Sequence, residues 1–366
     1  MSNAEQGDAL KSPLHSSHEE LGAKWSDFGG WLMPLEYAGG GVTAEHEAVR
    51  NGVGIFDVSH LGTAQIVGPG AVAAIDAVLT NSLDRIGPGQ AQYTLLCNDQ
   101  GGVIDDIIAY RVSDDELILM PNAANCTTVL ETLRAAMPAD VHVHNLHTQT
   151  AIIAVQGPRS AHVLNALGLA TDLDYMSFVS DTFDGVDITV CRTGYTGELG
   201  FELAIDAAHA VALWNALLAV DGVVPCGLAA RDTLRTEMGY PLHGQDLSPT
   251  ITPVEAGVSW AVGWNKPIFA GKAALDVQRA HGPSRRLVGL LASERGIPRH
   301  DMVVRNASGD DIGIVTSGTF SPTLHQGIAL ALVNADVDGD VVVDVRGRSL
   351  PCTIVKPPFV TASPKA

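Results

Sequence analysis

Signature motifs are missing from this 366-residue sequence: it contains no GxGxxG, no GxxxxGKS or GxxxxGKT, no HExxH and no GxSxG. Dinucleotide, P-loop, zinc-protease and serine-hydrolase readings therefore lose their main support. Cysteine is sparse. Its five copies, Cys97, Cys126, Cys191, Cys226 and Cys352, are odd in number and never spaced CxxC, which argues against a disulfide framework or a zinc site and predicts a reducing, cytoplasmic setting with no bound metal. No apolar run approaches the roughly 20 residues of a membrane-spanning helix, so no membrane partner is expected. Positive charge is also scarce: 22 Lys and Arg against 41 Asp and Glu give a formal net charge of -19, which argues against a surface dominated by the phosphate-neutralising stripe that nucleic acid needs. The opening MSNAEQGDALKSPLHSSHEE has neither a basic start with an apolar stretch nor an Arg-rich amphipathic character; it reads as a short loose tail.

With 46% hydrophobic and 17% charged residues, the chain has the composition of a packed globular protein, and its length calls for two or three domains. Lys11 to Arg50 reads as helix and loop. Segments 62–68, 91–97, 103–112 and 116–120 read as strands between the turn signals GPG and NDQGG, beside helical stretches 70–80 and 123–137. A second strand-rich region begins at 151–155, followed by helix 159–167, the strand pair VDITVCRT and LGFELAI, and helices 207–220 and 227–238. The last ~80 residues alternate β-rich runs with turns, which predicts a small barrel or sandwich after PSRR at 283–286. The overall expectation is an α+β protein, with units at 1–60, 61–149, 150–282 and 283–366.

The strongest anomaly is Val103-Ile104-Asp105-Asp106-Ile107-Ile108-Ala109-Tyr110, where two acids interrupt an apolar strand. Period two puts them on opposite faces, so at least one carboxylate must be paired, hydrogen-bonded or protonated. An acidic turn beside Gly101-Gly102 is the plainer alternative. Candidate positive partners are Arg231 and Arg235 in GLAARDTLRTEMGY, which share a helix face with Leu234 and Met238; arginine stems that merely cover apolar surface would show the same spacing. Glu202 alternates with Leu199, Phe201 and Leu203, a pattern that usually means solvent. Between Lys266 and Arg305 eight basic residues face three acids, either a solvated stretch or a docking face for an acidic partner.

Six segments in order carry a resemblance: GAKWSDFGGWLMPLEY, GIFDVSHLG, GGVIDDIIAY, RTGYTGELGFE, GLAARDTLRTEMGY and TSGTFSPTLHQGIALALV. Together they resemble the T-protein, or aminomethyltransferase, family of the glycine cleavage system, over nearly the whole chain from about Pro13 to Val360. The resemblance implies a three-domain fold around a central cavity, with a C-terminal β-barrel. It implies transfer of an aminomethyl group from a lipoylated carrier, the H-protein, to tetrahydrofolate, with release of ammonia. By the same resemblance Asp106 is the catalytic carboxylate, Glu202 takes the pterin and Arg231 lies near the folate or its anionic tail. Tyr93, Tyr110, Tyr195 and Tyr240 line the cavity with Asn122, and Leu61 stands where many relatives carry Met. A Met-to-Leu exchange conserves volume and preserves a cavity wall. The segment after PPFV has no basic residue before Lys365, so no charged contact is expected from that end.

Two related functions are weighed against this one. A folate-binding paralogue that supports iron–sulfur assembly carries a cysteine in a KGCxxGQ-like motif, and Gly239 to Gln245 here reads GYPLHGQ. A folate-dependent demethylase, or the folate half of an amine oxidase, is the other; the latter needs a flavin domain for which there is neither fingerprint nor spare length.

Overall fold

In a computed structural model that describes residues 9–362 and 364, the alternating segment Val103–Arg111 is the second strand of a five-stranded sheet. The order is Gln90–Cys97, Val103–Arg111, Glu116–Met120, Ala64–Val67 and His142–Asn145, antiparallel throughout. The helix Cys126–Ala136 presents Val129, Leu130 and Leu133 at helical spacing and lays them on Ile66, Ile107, Leu117 and Leu119. Each buried aliphatic side chain of this kind contributes about 1.5 to 3 kcal/mol before entropy is counted. Gly102 lets the loop 248–251 reach the head of the Asp105 strand: the Val103 amide donates to the carbonyls of Ser248 and Ile251, and a Cβ on Gly102 would sit 1.9 Å from the carbonyl oxygen of Pro249.

A six-stranded sheet runs Phe178–Phe183, Val186–Cys191, Gly200–Asp206, Thr150–Gln156, Val53–Asp57 and Val223–Pro225, its last pair parallel. Both faces are covered. Ile153, Val155, Phe201 and Leu203 pack on Leu213, Trp214 and Leu217 of the helix Ala210–Leu218. Phe56, Ile152 and Ala154 pack on Leu228 and Leu234 of the helix Leu228–Met238. The C-terminal region is a closed barrel in the order Arg285–Ala292, Gln326–Asn334, Asp311–Ser321, Val303–Arg305, Asp340–Val345 and Arg348–Val355. Val288, Leu290, Val315, Val341 and Val343 fill it.

Two expectations for the N-terminal part are corrected. Residues 1–8 of the expected tail lie outside the described residues, as does Lys365. From Leu10 onward the chain is built in: Leu10–Lys11 pairs with Trp31–Glu36, which also pairs with Lys24–Phe28, so the stretch read as helix and loop holds a three-stranded sheet. The helix His15–Glu20 buries His15 and His18. The wholly buried Asp57 accepts hydrogen bonds from Ser12 Oγ and from His18 Nε2, the latter at 2.9 Å. Those partners lie 45 and 39 residues away in sequence, so no local pattern shows that polar side chains hold this segment down.

Helix Leu228–Met238 joins the parts. Its Arg235 guanidinium donates to Asp246 at 2.8 Å and to Ser317 of the barrel at 2.8 Å. Its Glu237 carboxylate accepts from Arg50 at 2.8 Å, His46 at 3.2 Å and the Thr323 hydroxyl at 3.0 Å. Burial alone would raise Glu237, but the hydrogen bond and charge of His46, with Ser321 and Arg50, hold it down at about 2.

Candidate functional site

Asp105 and Asp106 lie mid-ladder, opposite Leu96 and Leu95, not in a turn. Asp105 points to the helix side and is wholly buried. It accepts from the Asn122 amide at 3.0 Å, Asn122 Nδ2 at 2.9 Å and Asn125 Nδ2 at 2.6 Å. Asp106 faces the other way and accepts from Tyr93 Oη at 3.1 Å and Asn122 Nδ2 at 2.8 Å. Among the described residues no cation pairs with it. Burial raises the Asp106 carboxyl, and charge on His243 with the bonds from Tyr93 and Asn122 only partly opposes that. Burial and the charge of Asp106 push Asp105 up to about 8, against the three N–H donors that favour its ionised form. The pair therefore takes up a proton more readily than an exposed acid.

Glu202 is buried rather than solvated, because the face it shares with Ala154 is the one covered by helix Leu228–Met238. Thr193 Oγ1 donates to its Oε2 at 2.6 Å, and Arg231 Nη2 lies 3.7 Å from its Oε1. Tyr110 Oη joins through Thr193 at 3.4 Å. The Arg231 guanidinium sits 5.1 Å from the centre of the Tyr195 ring, and its Nη1 is buried without a partner. Burial lowers its proton affinity and Glu202 opposes that; a guanidinium remains charged throughout. The Tyr240 ring lies 5.8 Å from that of Tyr195. Leu61 packs with Phe28, Met120 and Ala123 beside Phe56.

Arg231 and Tyr195 line a cavity of about 520 Å³, with apolar walls from Phe28, Leu35, Val42, Leu228 and Phe320. Asp106, Glu202, Tyr93, Tyr110, Tyr240, Asn122 and Leu61 are not among its lining residues. Of these, Glu202 reaches it by its pair with Arg231, and Tyr240 by its ring contact with Tyr195. Arg235, the other candidate cation, also lines the cavity but is consumed by Asp232, Asp246 and Ser317. Sequence reasoning missed Thr193, Asn125, His60 and His243. His60 lines the cavity, and burial lowers it to about 4, opposed by the charge of Asp57 and aided by Arg231 and His147, so its imidazole is neutral.

Residues 14–266 match the family model described as the GCVT N-terminal domain, and residues 285–361 match that of the glycine cleavage T-protein C-terminal barrel domain. The chain belongs to the glycine cleavage T-protein family. Curated relatives named aminomethyltransferase include that of Parafrankia sp., 58% identical over 98% of this chain and 100% of its own length. That of Mycobacterium tuberculosis is 53% identical over 96% and 97%. A crystal structure of the glycine cleavage system aminomethyltransferase T from Bartonella henselae superposes with a TM-score of 0.92 at 36% identity, covering 96% of this chain and 98% of that one. The α+β T-protein fold with its C-terminal barrel, expected from the six ordered motifs, is the fold observed.

Proposed function

We propose that this T-protein family member uses Asp106, Glu202 and Arg231 to receive tetrahydrofolate and to move onto it the aminomethyl carbon of a lipoylated H-protein, with release of ammonia. The observation that carries the reading is the setting of Asp106: a carboxylate in an apolar strand, held by one phenol and one amide. The fit to a folate rests on unspent polar capacity nearby. Arg231 Nη1 is buried without a partner, and Glu202 Oε1 meets Arg231 only at 3.7 Å, so a ligand with both donor and acceptor edges improves both groups. Folate nitrogens supply the nucleophile for the one-carbon unit. Asp106 orients that nucleophile, offsets the positive charge that grows as ammonia departs, and accepts a proton. Glu202 accepts paired N–H bonds from the ring and Tyr195 offers flat apolar contact, while Tyr93, Tyr110, Tyr240 and Asn122 support Asp106, Thr193 and Tyr195 from behind.

For the carrier, we propose that the arm enters the apolar cavity past Phe320 and that the carrier body docks on the arginines at its rim. Of the eight basic residues between Lys266 and Arg305, Lys266, Lys272, Arg285, Arg286 and Arg305 form ion pairs within the chain. Arg299 at the cavity, and Arg295 and Arg348 in the adjoining groove that also touches Phe320, have no carboxylate partner among the described residues. Unpaired guanidiniums in so acidic a chain favour an acidic protein surface. A reducing, cytoplasmic setting is supported by five buried free thiols, and no described helix is long and apolar enough to cross a membrane. Functional units at 1–60, 61–149, 150–282 and 283–366 remain our proposed division. The test is to mix the protein with tetrahydrofolate and aminomethyl-lipoylated H-protein and to measure ammonia and 5,10-methylenetetrahydrofolate. Equal amounts of both support the transfer; neither, with a carrier that other T-proteins accept, sinks it.

A further inference from the structure

A line of hydrogen bonds runs behind the Asp106 carboxylate. His243 Nε2 lies 3.0 Å from the carbonyl of Val103, and because a carbonyl only accepts, that nitrogen carries a proton. His243 Nδ1 lies 2.9 Å from Asn125 Nδ2, which also lies 2.6 Å from Asp105 Oδ1. An amide nitrogen has two hydrogens, one for each of these neighbours. Nδ1 and Asp105 Oδ1 are then both acceptors. Asn122 Nδ2 extends the line, 2.9 Å from Asp105 Oδ1 and 2.8 Å from Asp106 Oδ1.

A proton added at Nδ1 of His243 would face a donor. To accommodate it, Asn125 must turn its oxygen toward both neighbours, and Asp105 must then carry a proton to donate to that oxygen. Protonation of His243 is thus linked to protonation of Asp105, and both change the field at Asp106. The titratable groups facing Asp106 are Asp105 on its own strand, Tyr93 on the neighbouring strand, Tyr195, and His243 from the loop after helix Leu228–Met238. The tyrosines stay protonated, burial raising both, and Asp105 is pushed up to about 8.

We propose that His243 is a positioning residue for the transfer, which through Asn125 and Asp105 sets the pH at which Asp106 becomes a carboxylate. The inference rests on Asp106 being the reacting acid. Charge on His243 favours the ionised form of Asp106, so a neutral replacement moves the acid limb of the rate profile to higher pH.

The experiment measures kcat and kcat/KM for tetrahydrofolate from about pH 5.5 to about pH 9 in the full-length protein, His243→Gln and His243→Phe. Glutamine offers an oxygen and an NH2 at the spacing of the two ring nitrogens but does not take up a proton. Its plateau kcat is expected within about threefold of the parent, with the acid limb raised by about half a pH unit or more. Phenylalanine breaks the line; plateau kcat falls about tenfold or more while the folate KM stays within about threefold. An acid limb in His243→Gln identical to the parent overturns the proposal, as does a parental plateau in His243→Phe. Asp106→Asn is run alongside. If it turns over normally, the reading of Asp106 itself fails; if it is inactive while His243→Gln titrates as the parent does, only the role of His243 falls.

Discussion

Replacing Glu237 with Gln tests how firmly helix Leu228–Met238, and with it Arg231, is held between the sheets and the barrel. The carboxylate meets Arg50, His46, Ser321 and Thr323 and is held at about 2. Set against about 4.5 for an ordinary glutamate, that favours the folded state by about 3 kcal/mol at neutral pH. The sign follows from the depressed value: the contribution is complete above about pH 5 and is lost as pH falls toward 2. Glutamine keeps the shape but not the charge and leaves Arg50 with Glu198 as its one carboxylate, so a cost of about 3 kcal/mol is expected at pH 7. Urea unfolding followed by tryptophan fluorescence, on parent and Glu237→Gln, should show that gap at pH 7 and a gap narrower by about 1 kcal/mol at pH 4. A gap that is the same at both pH values, or below about 0.5 kcal/mol at pH 7, would refute the claim that ionised Glu237 holds the helix.

Two further outcomes follow from the site. Glu202→Gln removes the carboxylate beside Arg231, and tetrahydrofolate affinity measured by calorimetry should fall about tenfold or more. Arg295→Glu with Arg299→Glu should raise the KM for the lipoylated carrier about tenfold or more and flatten its salt dependence, while the folate KM is unaltered; an unchanged carrier KM would move the docking face elsewhere.

Alternation made the sheets legible. The strand Val103–Arg111 and its flanks Gln90–Cys97 and Glu116–Met120 fall within a residue or two of the expected segments, and the barrel strands Arg285–Ala292 and Asp340–Val345 coincide with the runs RRLVGLLA and DVVVDV. The N-terminal sheet was not legible, since KWSDF and WLMPLE are short, interrupted by Gly29-Gly30 and Pro34, and gain their order from each other. Glu202 shows why alternation alone misleads: in a sheet covered on both faces the polar register marks an interior site as readily as solvent. Periodicity separated Asp105 from Asp106 but ranked neither; the ranking came from the family resemblance. The Asn122, Asn125 and His243 contacts that distinguish the two acids span from 16 to 140 residues, beyond the reach of any local pattern.

The central claim, that Asp106 is the reacting carboxylate and not a binding group, is tested most directly by Asp106→Asn. The amide keeps the size of the side chain, so tetrahydrofolate affinity should stay within about threefold of the parent. Ammonia release from the aminomethyl-lipoylated carrier should fall about a hundredfold or more. Turnover within about threefold of the parent, with folate bound equally well, would contradict the account.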